Sequence, residues 1–366
     1  MSPRLQPRGG ARLFSEDKNG LVGHREYCHL ERDSTNLMSI NVSTIKRLKK
    51  FKLYSGVPYL LRESLRPVLS HQYHRVRRTW NFYRQESGLP SYSPRGDFNS
   101  PLPDISQGQL FATTALNNEP TDKIPGIDLR IDSQQRLLMK MVDMYPEFDW
   151  SEHRIPGRRF HFDQNWYVQA DSICLYSMLR LFRPRRVVEI GSGFTSALML
   201  DVNDRFLGRK THLTFVDPCP DRLNLVVGPN DEKQVRIIRE RVQNAPAEIF
   251  TELEKGDFLF IDSSHVSKVG SDVNFLIFEV LPNLPIGAFV HFHDVFWPFE
   301  YPAKWIAEGR SWNETYLVRS FLAFNDAFEI VFWTPFAALR WTDMIKERMP
   351  AYLIDTGAAI WIRRAH

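Results

Sequence analysis

Residues 185–196, RRVVEIGSGFTS, contain a short apolar strand that runs directly into a glycine turn. Residues 187–190 are mostly β-branched and bounded by turn residues, which is typical of a strand buried on both faces of a parallel sheet. After the turn at 191–193, residues 195–200 have the character of a helix. This arrangement brings backbone N–H groups and a helix N-terminus up to a ligand, and glycine permits the close approach. The stretch predicts either a ligand-binding turn or an ordinary tight turn.

A second strand and an acidic residue follow at a spacing that suits a nucleotide ligand. Residues 213–216, LTFV, end at Asp217, which lies 24 residues after Gly193. An acid at the tip of the second strand can accept hydrogen bonds from a ribose diol, and dinucleotide sites have a spacing of about 20. A nicotinamide site usually has glycine or alanine where this chain has Ser196. The ExGxG form, with Glu189 inside the motif, instead resembles motif I of the class I S-adenosylmethionine-dependent methyltransferases.

Length and composition indicate a globular protein of about two domains. The chain has 366 residues, 43% of them apolar and 25% charged, and a formal net charge of +4. No run approaches the apolar length of a membrane-spanning helix, and the N-terminus lacks the apolar segment of a secretory signal. Cys28, Cys174 and Cys219 are far apart and form no disulfide or zinc pattern, which fits a reducing compartment. We therefore predict a cytoplasmic protein.

The N-terminal part is basic and differs in character from the rest. Residues 45–54, IKRLKKFKLY, are strongly basic, and apolar and aromatic residues recur at helical spacing between Leu69 and Tyr83 beside several arginines. Such a helix can lie on an anionic membrane surface or on nucleic acid, or it can pack its apolar stripe on the main domain. Packing is favoured, because a charge run alone is weak evidence for a partner. A weak membrane-surface contact stays open, and no nucleic-acid partner is expected.

Beyond residue 126 the pattern alternates between helices and strands. Further strands are expected at the apolar segments 235–238, 258–261, 288–292, 328–333 and 358–362, and amphipathic helices at 137–145, 171–182 and 273–281. The arginines of 235–238 place that strand near the sheet edge. The alternation predicts an α/β fold, a Rossmann-like sheet with helices on both faces.

Polar residues follow four of the predicted strands at their carboxyl ends. They are Glu189 with the glycine turn, Asp217, Asp262 to His265, and His293 with Asp294. Open α/β sheets bind ligands at this edge, so these side chains are expected to converge. A purely structural sheet has no need of them, since buried carboxylates are costly unless paired. Taken singly they allow simpler interpretations: Ser263 or Ser264 can cap a helix, and mid-strand His291 fits a hydrogen-bonded core histidine.

Two aromatic segments flank these tips, and each allows two interpretations. Residues 158–167, RRFHFDQNWY, can form a lid over a ligand or a surface loop packed on the core. Past the fifth strand, Trp297, Phe299, Tyr301 and Trp305 can supply a wall for a sugar-like acceptor or can simply pack.

Residues from about 126 to the C-terminus resemble the family-24 branch of class I methyltransferases, which is often linked to sugar and polysaccharide modification. The matching pieces are NWYVQADS (165–172), RRVVEIGSGFTSA (185–197), FIDSSHV (260–266), VHFHDVFWPFEYP (290–302) and GAAIWIRR (357–364). The resemblance implies a seven-stranded sheet whose last strand inserts antiparallel. We divide the chain into a basic, mostly helical and partly disordered N-terminal extension with its linker, 1–105, and a methyltransferase domain, 106–366.

The resemblance also implies a cofactor site. Gly191 and Gly193, with Ser192 between them, would face the methionine part of S-adenosylmethionine, while Glu189 orients it and Asp217 holds the ribose. On this placement Gly191→Val is expected to block the ligand without unfolding the chain.

By similarity to catechol O-methyltransferase, Asp262, His293 and Asp294 fall at a divalent-metal site. His265 falls where that enzyme has a basic lysine, and Asp262 also borders the cofactor. Because His293 replaces a carboxylate, a metal that tolerates nitrogen is favoured over magnesium.

These inferences predict an S-adenosylmethionine-dependent O-methyltransferase. Its acceptor would be a hydroxyl of a glycan or another small hydroxylated molecule, with His265 as general base, Asp262 and Asp294 as catalytic carboxylates, and a divalent metal as a potential aid. Two alternatives stay open: an NAD(P)-dependent Rossmann oxidoreductase, and a non-catalytic protein that binds S-adenosylmethionine.

Overall fold

The computed structural model describes residue 93 and residues 95–116, 121–228, 231 and 235–366. The basic stretch 45–54 and the helix predicted between Leu69 and Tyr83 lie outside these residues, so those inferences and the boundary at 105 stay predictions. Within the described part, none of the helices is long and apolar enough to cross a membrane.

Seven strands of the described residues form one mixed sheet in the order β3-β2-β1-β4-β5-β7-β6. They are β1 (Arg186–Ile190), β2 (His212–Val216), β3 (Val235–Ile238), β4 (Phe258–Ile261), β5 (Phe289–Phe292), β6 (Phe328–Trp333) and β7 (Ile360–Arg364). Strands β1 to β5 pair in parallel, and β7 inserts antiparallel between β5 and β6. The predicted fold class is confirmed, including the edge position of β3.

The last strand begins two residues later than predicted. Ala358 and Ala359 direct their backbone N–H groups to the buried carboxylate of Asp171, so the ladder with β5 begins only at Ile360.

Helices cover both faces of the sheet. They are α1 (Ile105–Leu116), α2 (Ile131–Met144), α3 (Gln169–Phe182), α4 (Phe194–Phe206), α5 (Asp221–Val226), α6 (Glu248–Thr251), α7 (Asp272–Phe275, continued by a π-helical turn over Leu276–Val280), α8 (Ala303–Ala307), α9 (Glu314–Leu322), α10 (Thr334–Arg340) and α11 (Thr342–Arg348). The three helices expected at 137–145, 171–182 and 273–281 correspond to α2, α3 and α7.

Alternate side chains of each central strand enter two separate apolar cores. Val187 and Phe260 belong to the core under α2, α3 and α4, whereas Val188 and Ile261 belong to the core on the other face. Successive side chains of a strand point to opposite faces, so a strand covered on both sides must be apolar throughout. Each such side chain contributes about 1.5–3 kcal/mol relative to exposure. The two cores fix the strand ends that carry the polar residues.

One inference from the cysteines was wrong. Cys174 is a free, buried thiol, but Cys219 is disulfide-bonded. Spacing along the sequence does not show which cysteines meet in a fold. The cysteines therefore give no support to a reducing compartment.

Candidate functional site

The carboxyl ends of β1, β2, β4 and β5 meet at one edge of the sheet. Ile190 of β1 pairs with Val216 of β2 and with Ile261 of β4, and Ile261 pairs with Phe292 of β5. The residues that follow these four are therefore neighbours, and the predicted convergence of polar side chains is confirmed.

Glu189 lies beneath the glycine turn and is fully buried. Its two carboxylate oxygens accept hydrogen bonds from the hydroxyls of Thr195 and Ser196, and the Ser196 hydroxyl accepts the N–H of Gly193 at 3.0 Å. Burial raises the pKa of Glu189 to about 8, against these donors. The acid within the motif thus shapes the turn and the start of α4.

Gly191 is required by the neighbouring strand. Its φ is +79°, and a Cβ atom built there would lie 2.1 Å from the backbone oxygen of Asp262. This contact argues against the expectation that Gly191→Val leaves the fold undisturbed, because sequence spacing does not show how closely β1 and β4 approach at their tips.

Asp217 is held at the tip of β2 by three donors. One oxygen accepts the N–H and the hydroxyl of Ser192, at 3.0 and 2.8 Å, and the other accepts the N–H of Cys219 at 2.7 Å. A carboxylate has about four acceptor sites, so Asp217 keeps capacity for a ribose hydroxyl. This fixed acceptor beside a glycine turn and the N-terminus of α4 fits a nucleoside ligand.

The segment 158–167 is packed for most of its length. The Arg159 guanidinium bonds Asp201 and Asp231, and Phe160 and Tyr167 are buried. Trp166 differs, because it is 52% exposed and has the Arg222 guanidinium 4.4 Å from its ring centre. Arg222 in turn lies beside Gly193, where a built Cβ would be 3.5 Å from it. The packed-loop interpretation is correct except at this end, which borders the glycine turn.

A histidine stands between two carboxylates at the tips of β4 and β5. His265 Nε2 lies 3.3 Å from Asp262 Oδ1 and 3.4 Å from Asp294 Oδ2, and His265 Nδ1 lies 2.9 Å from Glu314 Oε2. His265 and Asp294 both have a φ of +59°. Left-handed backbone is uncommon outside glycine and concentrates at functional sites. The predicted catalytic residues are therefore brought together, and Glu314 joins them.

A second histidine faces the same carboxylates. His293 Nδ1 lies 3.6 Å from Asp262 Oδ1 and 3.5 Å from Asp294 Oδ2, and within the described residues it has no hydrogen-bond partner. Its other nitrogen lies 3.7 Å from Asp171 Oδ2. Asp171, which sequence reasoning missed, is buried and also accepts hydrogen bonds from Thr334 and the start of β7. It occurs in the matched piece 165–172, but nothing in the sequence connects it to His293.

A protein-family comparison covers this edge of the sheet. A family model described as a methyltransferase domain, of the family-24 group, matches residues 188–295, from β1 to just past β5. The chain carries a class I S-adenosylmethionine-dependent methyltransferase domain. The methyltransferase shares 27% identity over 169 residues with an uncharacterized protein of Archaeoglobus fulgidus, a match that covers 44% of this chain and 74% of the other.

Solved methyltransferase structures resemble this one only remotely. The S-adenosylhomocysteine-bound PaMTH1 of Podospora anserina is 15% identical, with a TM-score of 0.34 and coverage of 76% of this chain and 100% of that one. The O-methyltransferase TomG of Streptomyces achromogenes, in complex with S-adenosylmethionine, is 14% identical, with a TM-score of 0.33 and coverage of 63% and 90%. At such low similarity these proteins carry no information about the acceptor of this methyltransferase.

The cluster of the methyltransferase is strongly coupled electrostatically. Burial by itself lowers the pKa of His265, but its contacts with Asp262 and Glu314 and the charge of Asp294 raise it to about 10. Burial also opposes the charged form of His293, and Asp294 and Asp262 raise the pKa of that ring. The same histidines hold the pKa of Asp262 below its usual range despite burial. The carboxylates thus favour the protonated form of both histidines.

The donor atoms fit a divalent ion. One donor atom each of Asp262, His265 and Asp294 lie within 4.8 Å of one another. Nδ1 of the buried His293 has no hydrogen-bond partner among the described residues, and it lies 3.6 and 3.5 Å from oxygens of the same two carboxylates. Ligands around an ion with bonds of about 2.1 Å are roughly 3–3.5 Å apart, and the two histidine nitrogens lie 3.3–3.6 Å from the carboxylate oxygens. Asp262 and Asp294 belong to both possible sets of ligands, and the nitrogen ligand can come from either His265 or His293.

The predicted aromatic wall is mostly packing. Trp297 and Phe299 are buried against Trp333, at ring-centre distances of 4.9 and 4.4 Å. Trp305 is only half-buried, and so is Trp312, whose ring centre lies 4.4 Å from that of His265. Trp312, which the sequence analysis did not identify, is thus the aromatic side chain that packs against His265, the predicted base.

His291 departs from expectation. It is fully buried and stacks on Phe260 at 3.7 Å, and neither ring nitrogen has a hydrogen-bond partner among the described residues. The prediction of a core histidine is confirmed, but the hydrogen bond expected with it is not found among the described residues. Burial holds its pKa well below the usual range, so the ring packs as a neutral aromatic group.

Proposed function

We propose that this methyltransferase methylates a hydroxyl group of a glycan or another small hydroxylated acceptor, with His265 as general base. The observation that carries the proposal is the histidine at the tip of β4, backed by Glu314 and beside the half-buried Trp312. It lies on the same sheet edge as the glycine turn and Asp217, so a cofactor there and an acceptor before His265 would be neighbours.

The chemistry of methyl transfer sets what the protein must do. In S-adenosylmethionine the methyl carbon is bonded to a positively charged sulfur. An oxygen nucleophile can attack this carbon in line, so that the O–C bond forms as the C–S bond breaks and S-adenosylhomocysteine leaves. A hydroxyl is a poor nucleophile, so the chain must position it and remove its proton. Asp217 and the turn would hold the cofactor, and Trp312 would border the acceptor. Neutral His265 would accept the proton at Nε2.

The fit of the carboxylates to a divalent ion supports metal assistance. Asp262, Asp294 and His293 Nδ1 would hold the ion, which would lower the pKa of an acceptor hydroxyl. A cation at Asp262 and Asp294 would also offset the two charges that favour protonated His265. The ring would then have a free nitrogen.

The function is tested by product analysis. The full chain is incubated with S-adenosylmethionine and a panel of saccharides and small polyols or phenols, with and without divalent ions. Formation of S-adenosylhomocysteine and an O-methylated product, identified by mass spectrometry, is expected for a hydroxylated acceptor. Hydride transfer from NAD(P)H, or tight S-adenosylmethionine binding without turnover on the whole panel, would favour one of the two alternatives.

Asp217→Asn is expected to weaken S-adenosylmethionine binding by about 10-fold or more, since a hydrogen bond to a charged group contributes roughly 1.5–3 kcal/mol. The amide keeps the size of the side chain but loses the charge and one acceptor oxygen. Isothermal titration measures the affinity, with NAD as comparison ligand. Ser192→Ala removes one donor to Asp217 but leaves the charge of Asp217 and its other two donors, so a smaller effect than that of Asp217→Asn is expected. Equal affinity of Asp217→Asn and wild type contradicts the ribose assignment.

Metal removal is expected to depress turnover, and manganese, cobalt or zinc should restore it better than magnesium, because His293 adds a nitrogen donor. His293→Asp, which restores a third carboxylate, should shift the preference toward magnesium. Rates after chelation and re-addition of each ion check both statements. Turnover that is insensitive to chelation would leave His265 and the carboxylates as a metal-free site.

A further inference from the structure

We propose that Glu314 is the positioning residue for His265: it fixes the imidazole so that Nε2, and not Nδ1, faces Asp262 and Asp294. This inference deepens the proposed function and rests on it for its catalytic meaning. It assigns a role to a residue on α9, 49 positions beyond His265, that sequence reasoning did not identify.

The first support is the setting of the Glu314 side chain. It is 2% exposed, yet both of its oxygens are used: Oε2 lies 2.9 Å from His265 Nδ1, and Oε1 accepts the hydroxyl of Ser263 at 2.8 Å. A buried carboxylate is costly unless it is hydrogen-bonded, and here its partners are the β4 loop and the histidine ring. The carboxylate is therefore built into the loop that carries the base.

The backbone couples the same two elements. The His265 carbonyl accepts the N–H groups of Asn313 and Glu314, at 3.0 and 3.2 Å, at the start of α9. The His265 N–H is donated to Ser263 Oγ at 2.9 Å, and the Asn313 side-chain oxygen accepts the N–H of Ser267 at 2.6 Å. These bonds hold His265 at a φ of +59°, a conformation that needs such support. Loop and helix start thus form one unit around the ring.

The chemistry of a carboxylate determines the tautomer. An ionised carboxylate only accepts hydrogen bonds, so Glu314 requires the proton on Nδ1. Asp262 and Asp294 also only accept, but they lie 3.3–3.4 Å from Nε2, whereas Glu314 lies 2.9 Å from Nδ1. A ring with one proton therefore keeps it on Nδ1, in the shorter hydrogen bond, and has its lone pair on Nε2. A glutamine at 314 can instead donate to Nδ1 and stabilise the opposite tautomer. The two side chains have nearly the same shape, so they differ mainly in this property.

The test compares Glu314→Gln with Glu314→Asp in the full chain. Glu314→Gln is expected to lower kcat by about 10²-fold, within the 10²–10⁴ that a general base contributes, with little change in acceptor KM or S-adenosylmethionine affinity. Glu314→Asp keeps an acceptor-only side chain and should recover part of kcat. Glu300→Gln is the matched control: Glu300 is also a buried glutamate, but it bonds Tyr316 and the N–H of Tyr301, away from His265, so kcat should be nearly unchanged.

A readout without turnover separates this inference from the proposed function. In nitrogen-15 NMR of histidine side chains, wild type should show a slowly exchanging His265 Nδ1–H signal that Glu314→Gln loses. A wild-type kcat for Glu314→Gln, or a loss of kcat that only parallels a lower melting temperature, overturns the positioning role. So does absence of the Nδ1–H signal in wild type. A wild-type chain that shows this signal but methylates no acceptor refutes the proposed function and leaves the hydrogen-bond assignment standing.

Discussion

His265→Asn is expected to reduce methyl transfer by about 10²–10⁴-fold, the usual contribution of a general base. Asparagine retains polarity and part of the volume, but it has no nitrogen that accepts a proton. The residues proposed to hold the ribose and the methionine part follow β1 and β2 and do not include this ring, so S-adenosylmethionine affinity should stay near the wild-type value. Single-turnover rates at saturating acceptor and isothermal titration of the cofactor measure the two quantities.

His293→Asn is the matched comparison, because both rings face Asp262 and Asp294 and each is backed by a buried acid. On the proposed roles, His293→Asn loses metal affinity, whereas His265→Asn keeps it and loses turnover. Unchanged turnover in His265→Asn refutes the base. If His265→Asn loses metal affinity, the His265 ring is instead a metal ligand. Its position within 4.8 Å of the carboxylate donors allows this.

The strand tips could be predicted because they depend on local pattern. Apolar runs of four or five residues mark buried strands, and neighbouring parallel strands end at the same edge of the sheet. Given the strand order that the family resemblance implies, Asp217, Asp262 and Asp294 must therefore lie close together. Glu314 and Asp171 could not be predicted in this way. Glu314 begins a helix, where an acid is ordinary, and Asp171 lies in the first turn of another. Only the packing of α9 and α3 against the tips brings these two acids to the histidines.

Glu189 shows a different limit of pattern reading. The motif pointed to the acid that precedes the glycine turn, and similarity suggested that it orients the cofactor. In the fold it is fully buried and bonded to Thr195 and Ser196. Ser196 seemed informative only because it is not the glycine or alanine of a nicotinamide site. Its hydroxyl is in fact the link between Glu189 and the Gly193 N–H, a relation that no spacing rule contains.

Gly191→Val is expected to lower the free energy of unfolding by about 4 kcal/mol or more, a loss typical of severe backbone and packing conflicts. Two effects add. A β-branched residue is a strong outlier at a φ of +79°, which costs about 1–3 kcal/mol. The new Cβ would also lie 2.1 Å from the Asp262 backbone oxygen, so the tips of β1 and β4 must separate. Denaturant titration of the full chain measures the loss.

Gly208→Val separates these two effects. Gly208 has a φ of +63°, and a Cβ built there meets nothing within 4 Å, so this variant carries the backbone strain without the contact. It should lose stability by about 1–3 kcal/mol only. The additional loss of unfolding free energy in Gly191→Val, compared with Gly208→Val, then measures how tightly the glycine turn is held against Asp262. That contact joins the cofactor turn to the strand bearing the acid–histidine cluster, so its loss should lower cofactor affinity and turnover together even in molecules that remain folded. Equal stability of the two variants would show that the strand tips separate at no cost.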